Sequence, residues 1–100
     1  MRIIYNTSFI IDDDIEEEWI AFIREHYLNV VRQHGLCEDV IFTRVSIDQP
    51  EGKTYSLQLV FSDEAQYNHF SDKWLPDIED EIFRRYAYRY VYFNSVLTEM

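Results

Sequence analysis

The sequence predicts an α+β domain: a four-stranded antiparallel sheet with two helices on one face, connected in the order β-α-β-β-α-β. Three observations carry this reading. Four stretches alternate with a period of two, two stretches repeat apolar residues at helical spacing, and a Pro-containing turn closed by Gly52 joins the middle pair of strands. The 100 residues are 47% hydrophobic and 17% aromatic, enough for one core, and only 2 Gly and 2 Pro leave little irregular chain. A domain of this size is marginal alone and gains from a partner subunit.

Residues 2–11 read as the first strand, with Ile3, Tyr5, Thr7, Phe9 and Ile11 on one face and Ile4, Asn6, Ser8 and Ile10 on the other. Asp12, Asp13 and Asp14 then offer N-cap oxygens, and Glu16, Glu17 and Glu18 put negative charge where a helix dipole favours it. The first helix is expected from about Asp14 to about His34, with Gly35 as its left-handed stop. Ile15, Trp19, Phe22, Ile23, His26, Tyr27, Val30 and Val31 fall within half its circumference and should face the core. Strands two and three are expected from about Glu38 to Asp48 and from about Lys53 to Ser62, joined by Gln49-Pro50-Glu51-Gly52, a turn sequence with Pro to preset φ and Gly to tolerate positive φ. Asp63 can cap the second helix, whose inward positions are Tyr67, Phe70, Trp74 and Ile78. Pro76 would cost an interior helix a hydrogen bond, so a kink or a restart is expected there. From about Tyr88 to Thr98 the chain alternates again, with Tyr88, Tyr90, Tyr92, Asn94 and Val96 opposed to Arg89, Val91, Phe93, Ser95 and Leu97. Right-handed crossovers are read as leaving strands two and three at the edges and strands one and four in the centre of a ferredoxin-like sheet.

Charge and cysteine usage narrow the function classes. Nineteen acidic against 9 basic residues give a net charge of −10, which repels phosphate backbones, and the densest basic group is only Arg84, Arg85 and Arg89. No nucleic-acid partner is therefore expected. The segment Gly52 to Phe61 faintly echoes the third strand of RNA-recognition domains, but Ser56 and Gln58 stand where base-stacking aromatics are needed. A single Cys37 forms no internal disulfide and reads as a small buried hydrophobe in a reducing compartment. The opening MRIIYNTSFIIDDD has one basic residue and an apolar stretch broken by Asn6, Thr7 and Ser8, so it reads as a strand of a cytoplasmic protein rather than a signal peptide or a membrane span.

Metals and cofactors have no visible signature. His26, His34 and His69 share no metal-ligand spacing. His34 reads as a partner of the first helix's C-terminal dipole and His69 as solvated. Asp12 and Asp14, like Asp77, Glu79, Asp80 and Glu81, read as solvated helical faces rather than paired acid and base.

The face of the sheet away from the helices is the best clue to association. Tyr55, Leu57, Leu59 and Phe61 of strand three and Val91, Phe93 and Leu97 of strand four are assigned beneath the helices. The open face then carries Tyr88, Tyr90, Tyr92 and Asn94 with Gln58, a tyrosine-rich, charge-poor composition typical of protein interfaces. It is expected to pack two copies sheet to sheet as a homodimer.

Ile3-Ile4-Tyr5-Asn6-Thr7, Asp12 with the acidic helix start, Glu25-His26 followed by Val30-Val31, Thr54-Tyr55-Ser56-Leu57-Gln58, Trp74-Leu75-Pro76 and Phe93-Asn94-Ser95-Val96-Leu97 are the segments by which essentially the whole chain resembles a short bacterial family, domain of unknown function 4286. The resemblance implies a dimeric α+β barrel of the ferredoxin-like group, the architecture shared by small antibiotic-biosynthesis-type monooxygenases. It implies no established activity.

Among polar side chains, His26 stands out at a core-facing angle between Trp19, Phe22, Ile23 and Val30. A gap between the helices and the sheet would give a largely aromatic ligand pocket with Trp19, Tyr67, Trp74 and His26 in its wall. The leading reading is a small ligand-binding or protein-interaction module. The alternative is a cofactor-independent, monooxygenase-like enzyme in which His26 deprotonates a small aromatic or enolic substrate and Asn6 steadies the oxyanion.

Overall fold

In the computed structural model, which describes residues 1–46 and 52–100, the expected order of strands and helices is present. The strands are β1 (Ile3–Ile11), β2 (Asp39–Arg44), β3 (Lys53–Phe61) and β4 (Tyr90–Thr98). Between β1 and β2 runs one helical rod: a 3-10 turn at Asp13–Ile15, α1 (Glu16–Phe22), a π-helical segment at Ile23–Leu28, and α2 (Asn29–Gln33). Gly35, at φ +57°, ends it as expected. Between β3 and β4 lie α3 (Glu64–Lys73) and α4 (Leu75–Tyr86).

The second helix begins as the sequence says. The Asp63 side chain accepts a hydrogen bond from the Gln66 backbone N–H at 2.8 Å, and the Gln66 side chain accepts one in return from the Ser62 N–H at 2.7 Å. Of the two expectations at Pro76, the restart is what occurs: α3 stops at Lys73, and Pro76 sits in the first turn of α4, where a missing N–H costs nothing. The acidic start of the first rod differs. Asp12 makes no side-chain cap; instead Asp12 and Asp14 bind Arg89 at the start of the last strand, the Arg89 Nε to Asp12 Oδ2 distance being 2.8 Å.

The strand order is β2-β3-β1-β4, all antiparallel neighbours. The centre is therefore β3 and β1, not strands one and four, and the edges are β2 and β4. Each right-handed crossover joins two parallel strands with one slot between them: β3, returning from β2, fills the slot between β2 and β1, and β1 fills that between β3 and β4. Of the turn joining β2 to β3, Gln49, Pro50 and Glu51 lie outside the described residues. Gly52, at φ +144°, backs so closely onto β1 that a Cβ there would lie 2.0 Å from the Ile11 carbonyl oxygen.

Register fixes the faces. Tyr5, Thr7, Phe9 and Ile11 stand opposite Leu59, Leu57, Tyr55 and Lys53 on one side and Val96, Asn94, Tyr92 and Tyr90 on the other. Directly opposed residues share a face, so the assignment of β3 holds and that of β4 inverts. Tyr90, Tyr92 and Asn94 lie on the helix side, while Val91, Phe93 and Leu97 join Ile4, Ile10, Ile41, Gln58 and Val60 on the open face. The core between helices and sheet is built on Trp19, Ile23, Leu57, Leu59, Phe61 and Phe70, all buried.

Candidate functional site

The π-helical segment re-aims the first rod. One extra residue in a turn rotates everything after it relative to regular helical phase. Tyr27 and Leu28 turn inward and are buried, followed by Val31, whereas His26 turns out to solvent and stacks on Phe22 with ring centroids 4.8 Å apart. The core-facing histidine expected from helical spacing is thus a surface residue.

The second rod is re-aimed as well. Its restart at Leu75 puts Leu75, Glu79 and Ile82, at i, i+4 and i+7, on the inward face of α4. That face does not close onto the sheet's β4 edge. It leaves a narrow cleft with room for little more than a water molecule, walled by Tyr5, Thr7 and Phe9 of β1, Tyr90, Tyr92 and Asn94 of β4, and Tyr27 of the first rod. Thr7 is a buried polar side chain, and Tyr92 at the mouth is 44% exposed.

Glu79, half-buried, is the one charged residue in this wall among the described residues. Burial foremost, with the Glu79 carboxylate adding to it, pushes up the phenols of Tyr27, Tyr90 and Tyr92. Burial raises Tyr5 in the same way to about 12, against an opposing hydrogen bond from Thr7. At neutral pH these phenols stay protonated, and that of Tyr92 donates to the Glu79 carboxylate. An acidic group raised in the folded state contributes stability that is full below its unfolded pKa and is lost as pH climbs towards the folded one. With Tyr5 and Tyr55 both raised from 10.0 to about 12, the urea midpoint is expected to show no tyrosine-linked loss up to about pH 10 and to fall above it. Tyrosine ring resonances followed alongside check this; a Tyr5 or Tyr55 phenol that ionises near pH 10 in the folded protein contradicts it.

The residues singled out from sequence are only partly brought together. His26 and Trp74 line one outer groove between the first rod and α4, with Phe22, Val30 and Ile78, and Trp74 packs on His34 at 4.5 Å. Trp19 is buried elsewhere, against Phe9 at 5.1 Å and Tyr55 at 5.2 Å, and Tyr67 packs on Phe61 at 5.4 Å and Tyr5 at 6.0 Å. Asn6 points from the open face, where its carbonyl oxygen accepts from the Ser56 hydroxyl at 3.2 Å. His26 and Asn6 are therefore separated by the sheet and cannot converge on one substrate. Tyr88 belongs to neither face: it occupies the turn before β4 at φ +66° and is 92% exposed. Tyr90, Tyr92 and Asn94 wall the cleft, leaving Gln58 alone of the expected interface residues on the open face.

Glu79, read from sequence as a solvated carboxylate, is the residue that pattern reasoning missed. The signal was its place between Leu75 and Ile82 in a helix reset at Pro76. Among the described residues no three His, Cys, Asp or Glu side chains gather as metal ligands, and no helix is long and apolar enough to cross a membrane.

Solved structures of similar shape cover nearly the whole chain. An ethyl tert-butyl ether D (EthD) family protein from Bacillus halodurans superimposes with a TM-score of 0.68 at 10% identity, covering 98% of this chain and 99% of its own. A dimeric ferredoxin-like protein from an uncultured marine organism gives 0.68 at 14% identity, over 99% of this chain and 97% of its own. Hydroxynitrile lyase from Passiflora edulis gives 0.64 at 17% identity, over 98% and 95%. At such identities the likeness shows the fold, which is ferredoxin-like. No curated protein matches the sequence. The match that reaches beyond the fold runs over residues 2–100, and by it the chain belongs to the family described as domain of unknown function 4286.

Proposed function

We propose that the protein is a homodimeric small-ligand-binding domain, its copies joined through the open sheet face and its ligand held on the helix side between α4, β1 and β4. The observation that carries the ligand site is the lining of the narrow cleft: aromatic side chains with a few polar groups among them, Thr7, Glu79 and Asn94. Dimerisation is supported by the apolar residues on the open face, among them Val91 at 52% exposure, Phe93 at 64%, Leu97 at 46% and Ile41 at 43%. Within the strands that face carries one charged side chain among the described residues, Asp39, at its edge. One of the structural neighbours is itself described as dimeric.

Native mass spectrometry of the purified protein tests both parts. The expected spectrum is a dimer with a small added mass, and Asn94→Trp, at the exposed mouth of the cleft, should expel that mass and keep the dimer. A monomer contradicts the assembly, and an adduct that survives Asn94→Trp contradicts the site. A bare dimer moves the reading to a protein-interaction module built on the same interface.

A further inference from the structure

Apart from the cleft, we infer that the outer groove between the first rod and α4 is a second ligand site, one that selects an organic cation: a protonated amine carried on a small apolar or aromatic frame. The groove holds about 290 Å³, near the lower end of small-ligand sites. It lies between helices, on the far side of the sheet from the open face, so a dimer joined through that face leaves it accessible.

One wall is the work of the π-helical segment. Such segments are rare and occur mostly at functional sites. This one turns His26 out onto Phe22, so that two stacked rings stand in the groove together with Val30. The other wall is formed by Trp74 at the N-cap of α4, by Ile78, and by the carboxylates of Asp77 and Glu81, one helical turn apart.

Aromatic faces attract cations through their quadrupoles, tryptophan most strongly, and a carboxylate nearby adds the countercharge. The protein already uses this chemistry on two of the groove's residues: the Arg85 guanidinium lies 4.5 Å over the Phe22 ring, and its Nε is 3.4 Å from a Glu81 oxygen. Trp74 and Asp77 supply a second ring and a second carboxylate to the same groove. The arginines of α4 are committed elsewhere, Arg84 to Asp80 and Glu81 and Arg85 to Glu81. Among the described residues no ion pair engages Asp77, and no Lys or Arg lines the groove. The chain's net charge of −10 draws cations toward it and turns anions away. A phenolate or enolate would meet two carboxylates in the groove that holds His26, so the substrate class of the monooxygenase-like alternative is the one this site disfavours.

The test titrates three ligands on one frame, 2-phenylethylamine, 2-phenylethanol and phenylacetate, into the intact protein at neutral pH, with the two tryptophan indole N–H resonances as the readout. The amine is expected to bind about tenfold tighter than the alcohol and phenylacetate weakest, with a saturable shift at Trp74 while the buried Trp19 stays in place. Asp77 is exposed, so Asp77→Asn costs the fold little. It should weaken the amine by about threefold or more and leave the alcohol's affinity unchanged. Alcohol binding as tightly as amine, or an Asp77→Asn protein that keeps the full preference, overturns the charge selectivity. If none of the three shifts Trp74 saturably, the groove is not a ligand site for this class, whatever the cleft holds.

Discussion

Phe93→Asp is expected to convert the dimer to a monomer. Phe93 lies at the middle of the open face of β4, opposite Ser8 and between Val91 and Ser95 along the strand, and is 64% exposed in the single chain. A substitution at so exposed a position costs the fold little. In a two-fold, sheet-to-sheet dimer the same change acts twice, burying one unpaired carboxylate from each copy. Two such penalties of about 3 kcal/mol weaken association by roughly 10⁴, enough to move a micromolar sample to monomer in sedimentation velocity. Tyr90→Lys is the control, because Tyr90 faces the cleft and its replacement should leave the dimer intact. A Phe93→Asp protein that sediments as a dimer places the interface elsewhere.

Trp19→Ala is expected to lower stability by about 3–5 kcal/mol. The indole is fully buried and forms an aromatic cluster with Phe9, Phe42 and Tyr55, the Phe9 ring meeting it edge-on at 5.1 Å. Its removal leaves a void beneath Phe9, Phe42 and Tyr55. Small domains hold roughly 5–15 kcal/mol in all, so the urea midpoint should drop by a large fraction. The loss should be chiefly one of stability. A loss under about 1 kcal/mol, or one expressed chiefly in ligand affinity, would return Trp19 to the pocket that the sequence suggested.

What the sequence made legible follows from local rules. The alternation in β1 and β3 named their buried faces, because both are central strands covered by helices on one side. The Asp63 cap, the stop at Gly35 and the restart at Pro76 depend on single residues whose backbone chemistry leaves few choices. The faces of β4 were not legible, since sorting by hydrophobicity sends Val91, Phe93 and Leu97 under the helices. On an edge strand the helix side is a tyrosine-lined cleft open at its rim, and the more apolar set belongs to the other face. His26 and Glu79 were misplaced for a related reason. A π turn at Ile23–Leu28 and a break at Trp74 each reset the helical phase, and periodicity assumes a phase carried unbroken from one turn to the next.

The claim at the centre of this account is that β4 divides its work, joining copies with one face and lining the ligand cleft with the other. Isotope-filtered NOE spectroscopy on a sample refolded from equal parts labelled and unlabelled chain tests it most directly, because only contacts between copies give signal. The account predicts intermolecular NOEs from the side chains of Ile4, Val91, Phe93 and Leu97. Intermolecular NOEs arising instead from Tyr90, Tyr92 and Val96, or none at all, would contradict it.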